Sequence, residues 1–226
     1  VSETGAIQVA PTENNTLLVA FGGGAKQYVE VEENLFRELD PNISLVAGIS
    51  PRLIAFQEND AGAITGFVFD GLPFMSARKL PSYETANFNF SLLGLSLLIF
   101  LAVVLRRWYQ RREIALLYGP DRTAFNASFY TSLAHVVTLA AGAVVVSIVA
   151  NDLINGFPLA FKLWLILPVI STLASLYLLF RTVGVWKQKL FTGVWARIRF
   201  TCVTLSALFM AWFYYFWNIL GFQYMV

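Results

Sequence analysis

The residues of this chain that stand out chemically are one histidine, one cysteine, a glycine-rich stretch and two groups of bases. His135 sits inside the apolar run Ser128–Ala150, with Ser132 and Thr138 nearby in sequence. There it could relay a proton or hydrogen-bond to a hydroxyl, and an ionisable group within a membrane is a functional candidate by default. A metal needs further ligands beside one histidine, and Cys202 alone allows neither an intrachain disulfide nor a cysteine-based zinc cage. No metal and no other cofactor is therefore expected, and His135 reads as a neutral residue bonded between helices. Gly22-Gly23-Gly24-Ala25-Lys26 lacks the four-residue spacer and the hydroxyl residue after lysine that a phosphate loop requires. It reads as a hairpin turn. Arg106, Arg107, Arg111 and Arg112 form one basic group, and Arg181, Lys187, Lys189, Arg197 and Arg199 a second. Such bases attract anionic lipid headgroups, each contributing about 1 kcal/mol near the surface; the plainer reading is a topological anchor.

The elements that must carry these residues are mostly membrane helices. Hydrophobic residues make up 57% of the 226 and charged residues 13%, against roughly 45–50% and 25% in an ordinary soluble domain. Four long apolar runs occur, at 88–105, 128–150, 161–180 and 200–221, and the only full charge in them is Lys162. At about 1.5 Å per residue each is long enough as a helix to cross a hydrocarbon core of about 30 Å. Lipid offers the backbone no hydrogen-bond partner, so the spans are helical. The two basic groups, with Arg122, fall in the first and third connections, whereas the second, Asn151–Ala160, carries Asp152 and no base. That asymmetry predicts cytoplasmic basic loops, with the N-terminal region and the C-terminus extracytoplasmic. Trp108, Trp164, Trp186, Trp195 and Trp217 lie near span ends, as an interfacial belt would. The bulky end of the fourth span, Phe209 to Trp217, is expected to face lipid. Pro168 predicts a kink in the third span.

Residues 1–81 differ in kind. Residues 1–85 carry eleven acids and five bases, a net charge of −6, and residues 86–226 carry a net of +8. Short apolar or alternating runs at 16–21, 28–32, 51–56, 63–69 and 72–80, separated by Gly- and Asn-containing turns, predict a small antiparallel β domain. About five or six strands in a meander or partial barrel are expected, followed by a linker at 82–87 and a four-helix transmembrane domain at 88–226.

Three stretches carry a resemblance. Leu17–Asp40, then Leu53–Gly71, with its Ile54-Ala-Phe56…Gly62…Ile64 hairpin, and then Ala77–Leu101, with Lys79, Pro81, Tyr83, Glu84, Phe88 and Asn89 at the junction, resemble the C-terminal part of membrane-bound bacterial serine hydrolases. These belong to the β-lactamase-related family, class C and penicillin-binding-protein-like. The resemblance implies an exported catalytic domain upstream, followed by a small β domain and membrane helices in the bacterial cytoplasmic membrane. The family's nucleophile motif is Ser-x-x-Lys, and Ser76-Ala77-Arg78-Lys79 spells it. Here the string falls in an expected strand, where positions three apart face opposite ways. Tyr83-Glu84-Thr85 lacks the asparagine of the family's second motif. No catalytic residue therefore carries over to this chain.

The expected function is that of a β domain and membrane anchor for such a hydrolase. The partners are the lipid bilayer and the upstream catalytic domain. A non-enzymatic sensor or assembly subunit is the alternative, and a transporter subunit a third. Nucleic-acid binding is not expected, because no basic soluble domain exists.

Overall fold

A computed structural model describes residues 7–12, 16–21, 24–39, 52–70, 76–150, 156 and 158–220. The expected features at Gly22, Gly23, Gly71–Met75 and Asp152 lie outside the described residues. The chain divides into two compact units, Val1–Ala86 and Asn87–Val226.

The first unit is a seven-stranded antiparallel meander, an open curled sheet in the order β1 to β7. Its strands are β1 (Gln8–Pro11), β2 (Thr16–Phe21), β3 (Gly24–Glu32), β4 (Leu35–Glu38), β5 (Leu53–Glu58), β6 (Ile64–Phe69) and β7 (Ser76–Arg78). The meander expected from the sequence forms, with seven strands rather than the five or six expected; β1 and β4 lie outside the five runs that signalled it. Every residue of β1 is exposed, so it shows no alternation. β4 has only four residues and ends on a buried glutamate. Val19, Tyr28, Ile54, Phe67 and Phe69 form the core, with Phe36 and Phe56 packed on it. Phe36, Phe56, Phe67 and Phe69 make a chain of ring contacts 5.2–5.5 Å apart across three strands. The β5–β6 hairpin closes as expected: Asn59 Oδ1 accepts from the Ala61 and Ala63 amides, and Gly62 supplies φ +73°.

β7 runs into a 3-10 turn, Ser82–Glu84, and α1 begins at Ala86, so the expected linker is one tight turn. An ion pair between Arg78 and Glu84 ties β7 to that turn.

The second unit holds α1 (Ala86–Tyr109), α2 (Arg111–Ala115), α3 (Gly119–Val149), α4 (Leu159–Trp164), α5 (Ile166–Lys187) and α6 (Val194–Phe216). Four helical segments, 86–109, 119–149, 159–187 and 194–216, are long and apolar enough to span a bilayer. This is a multi-pass membrane protein. All four begin before the expected bounds, and the first and third also end beyond them, because flanking polar and aromatic residues continue the helix past the hydrocarbon-length core. The fourth stops earlier than position 221: Asn218 turns left-handed at φ +54° and ends α6.

The expected kink in the third span appears at Leu165, between α4 and α5. Pro168 has no N–H for the Trp164 carbonyl, so the ladder breaks one turn before it.

Candidate functional site

The chemistry-bearing side chains of the second unit converge on a polar seam inside the bundle. On α5 the buried positions are Pro168, Ser171, Ser175, Leu178, Thr182 and Val185, alternating three and four residues apart on one stripe. On α3 the facing stripe carries Thr131, His135, Thr138 and Gly142. The cross-helix pairs run in opposite senses. Thr131 Oγ1 donates to the Ala174 carbonyl at 3.3 Å, His135 meets Ser175, and Thr138 meets Ser171. The two helices are therefore antiparallel, with small side chains allowing close approach.

His135 is fully buried and bridges two helices. Nε2 lies 2.9 Å from Ser175 Oγ, and Nδ1 lies 3.2 Å from Tyr214 Oη. Ser175 directs its one proton to the Ser171 carbonyl at 2.8 Å. Its lone pairs face the ring, so Nε2 carries the imidazole proton and Nδ1 accepts from the Tyr214 phenol. Phe100 of α1 stacks on the other side of the ring, at 4.9 Å between centroids and 8° between planes. One residue thus links α1, α3, α5 and α6. The same logic orients the neighbours: Thr138 Oγ1 donates to the Ala134 carbonyl, leaving Ser171 to donate to Thr138. Thr182 and Thr204 join α5 to α6 at 2.7 Å.

Several expectations change here. His135 pairs with Ser175 and Tyr214 of other helices, not with Ser132 or Thr138 of its own. The hydroxyls on α5 and α6 were missed as partners, although the spacing of Ser171, Ser175 and Thr182 in an apolar run was a legible signal. Phe213 and Tyr214 are buried in the bundle rather than facing lipid. Phe213 and Trp217 pack on Phe90 of α1 at 6.4 and 5.7 Å. Trp164 lies against Gly142 and donates its indole N–H to the Thr138 carbonyl at 2.9 Å, so it is a packing residue rather than part of a lipid belt. Trp108 and Trp195 are exposed.

The basic residues gather at one end of the bundle. Arg106 and Arg107 end α1, Arg111 and Arg112 lie in α2, Arg181 and Lys187 are in the last turns of α5 with Lys189 after them, and Arg197 and Arg199 open α6. Arg107 donates to Asn126 Oδ1 at 3.0 Å and lies over the Phe129 ring.

In the first unit Lys26 forms a buried ion pair with Glu38. It lies within β3, committed to that partner rather than poised for phosphate. Tyr28, two positions on along the same face, is fully buried. Burial, then the negative charges of Glu38 and Asp70, push its phenol up to about 12. Ser76 lies in β7 and Lys79 follows the strand. The Lys79 amide donates to the Thr65 carbonyl, so Ser76 and Lys79 belong to the β6–β7 pairing.

Neither a protein-family model, a curated protein nor a solved structure matches this chain.

Proposed function

We propose that this chain is the β domain and membrane anchor of an exported serine hydrolase of the β-lactamase-related type, its catalytic domain encoded upstream. The observation that carries the reading is the structure of the two most family-like stretches. The Ile54–Ile64 stretch forms the β5–β6 hairpin. The Lys79–Asn89 stretch is the one-turn junction from β7 into the first span. The ten bases at one end of the bundle support an orientation with that end in the cytoplasm and the β domain outside the cytoplasmic membrane. In the whole protein, the upstream serine would be acylated by an amide or ester substrate of peptidoglycan-peptide type.

The transporter alternative would draw on the polar seam. The hydroxyls of Thr131, Thr138, Ser171, Ser175, Thr182 and Thr204 are spent on one another and on backbone carbonyls, an arrangement that holds helices together, while Ser132 Oγ is buried with no hydrogen-bond partner among the described residues.

The test is the gene upstream of Val1 and the activity of the whole product. A domain-sized stretch with Ser-x-x-Lys and Tyr-x-Asn is expected. Membranes containing the protein should hydrolyse a chromogenic β-lactam, a D-alanyl peptide or a small ester, and replacing the motif serine by alanine should abolish this. An upstream region without those motifs overturns the proposal.

A further inference from the structure

The basic end of the bundle contains a pocket whose build differs from a plain charged surface. It has a volume of about 350 Å³. α1, α2, the start of α3, the Phe191–Thr192 connection and the start of α6 enclose it. The tightest backbone packing in the unit is among α3, α5 and α6, and α1 reaches them through long side chains such as Phe100. A crevice between α1 and α6 follows from that spacing.

Its lining is graded. Val103, Phe125, Phe200 and Val203 line its inner part, together with Ser128, whose hydroxyl donates to the Phe125 carbonyl of its own helix. Arg106 and Arg199 stand nearer the ends, from opposite walls, their like charges acting on each other. Among the described residues neither guanidinium forms an ion pair. Arg106 Nε donates to Gln110 at 2.6 Å, leaving its terminal nitrogens for another acceptor. Of the carboxylates nearby, Asp121 is occupied, accepting the Phe191 amide at 2.9 Å, and Glu113 of α2 also lines the pocket, its charge partly offsetting the effect of Arg199 on Arg106 without forming an ion pair.

We propose that this pocket binds one membrane phospholipid, Arg106 and Arg199 clamping its phosphate and the apolar inner part taking the start of an acyl chain. Two guanidiniums lining one pocket can each donate to the oxygens of a phosphate diester, and a bound anion relieves the part of their mutual repulsion that Glu113 does not. The gradation from apolar to charged, running out toward the helix ends, matches a lipid's own gradation at the interface. Free phosphate shares the headgroup chemistry but leaves the apolar part unfilled. The inference concerns the bundle alone and stands whether or not a hydrolase lies upstream.

The test is native mass spectrometry of the 226-residue chain in detergent, titrated with a short-chain phosphatidylglycerol. One tightly held lipid per chain is expected. The double variant Arg106→Gln/Arg199→Gln should bind at least tenfold more weakly. Arg111→Gln/Arg112→Gln, which removes equal charge from the same end, should change binding less than twofold. Equal losses in both variants, or a loss in neither, overturn the proposal. Inorganic phosphate in the millimolar range should leave the lipid bound. Displacement by micromolar phosphate would reassign the pocket to the free ion and also overturn it. Retained secondary structure by circular dichroism separates lost binding from lost folding.

Discussion

Tyr214 gives its phenol proton to His135, and that bond closes the seam between α3 and α6. Tyr214→Phe keeps the ring and removes the donor, and should destabilise the bundle by about 1 kcal/mol, as interhelical hydrogen bonds in membranes do. Denaturation in mixed micelles, followed by tryptophan emission, measures this well because all six tryptophans lie in the second unit. The Lys26–Glu38 pair behaves differently. Glu38→Ala alone removes the carboxylate from a buried ammonium and should cost about 3–5 kcal/mol. Lys26→Met together with Glu38→Leu should recover most of that loss, read by hydrogen exchange in β3 and β4. Tyr28 adds a pH dependence whose sign is fixed by its raised pKa. The buried neutral phenol favours the fold fully below about pH 10, the unfolded value, and the contribution fades as pH rises toward about 12. Tyr28→Phe should flatten the stability of the β unit across that window. That His135 would bond between helices was legible from one ionisable residue in an apolar run. A hydroxyl stripe on α5 was legible from its spacing, but which hydroxyls meet the ring was not, because the partners lie 40 and 79 positions away. Only the register of antiparallel helices brings them there.

The spans were the most legible elements, since apolar length is a one-dimensional signal that lipid enforces directly. Their ends were less so: lipid sets where a helix must be apolar, not where its hydrogen bonds stop. The inward turn of Phe213 and Tyr214 was illegible for a related reason, because an aromatic residue suits lipid and a bundle core equally well. In the sheet, β4 was hidden because its inward-facing Glu38 reads as a surface residue until Lys26, two positions from its cross-strand neighbour Tyr28, is seen as its partner. Two glycines test the packing of these elements. A Cβ on Gly66 would lie 2.3 Å from the Ala77 carbonyl oxygen, a backbone atom that cannot step aside. Gly66→Ala should therefore detach β7 from β6, seen as faster amide exchange at Lys79 and Ala77. A Cβ on Gly142 would lie 2.6 Å from the Trp164 ring. Gly142→Ala should push that indole off α3, break its bond to the Thr138 carbonyl and shift its emission, while α5 beyond the Pro168 break stays in register.

For the molecule as a whole, sidedness decides which chemistry is open to it. Ten bases gather at one end of the bundle, and an inverted insertion would carry all of them across the membrane against the bias that sets orientation. The β unit enters α1 at its opposite, N-terminal end, so whichever compartment receives the bases, the β unit faces the other. Two single-cysteine variants read this out once Cys202, exposed on α6, is replaced by serine. Asp60→Cys lies in the exposed β5–β6 turn, and Tyr118→Cys in the exposed connection before α3. On intact cells a membrane-impermeant maleimide should label the first and spare the second, and permeabilised cells should show both. The reverse pattern would put the β unit in the cytosol and remove the exported hydrolase from consideration. With sidedness established, His135→Ala separates anchoring from participation. The variant loses the α3–α5 and α3–α6 bonds and so should lower the melting temperature of the bundle. If the chain is the anchor of a hydrolase as proposed, none of that reaches the catalytic domain, so turnover per intact molecule should be unchanged. A loss of turnover larger than the loss of folded protein would mean that the buried imidazole takes part in the reaction cycle.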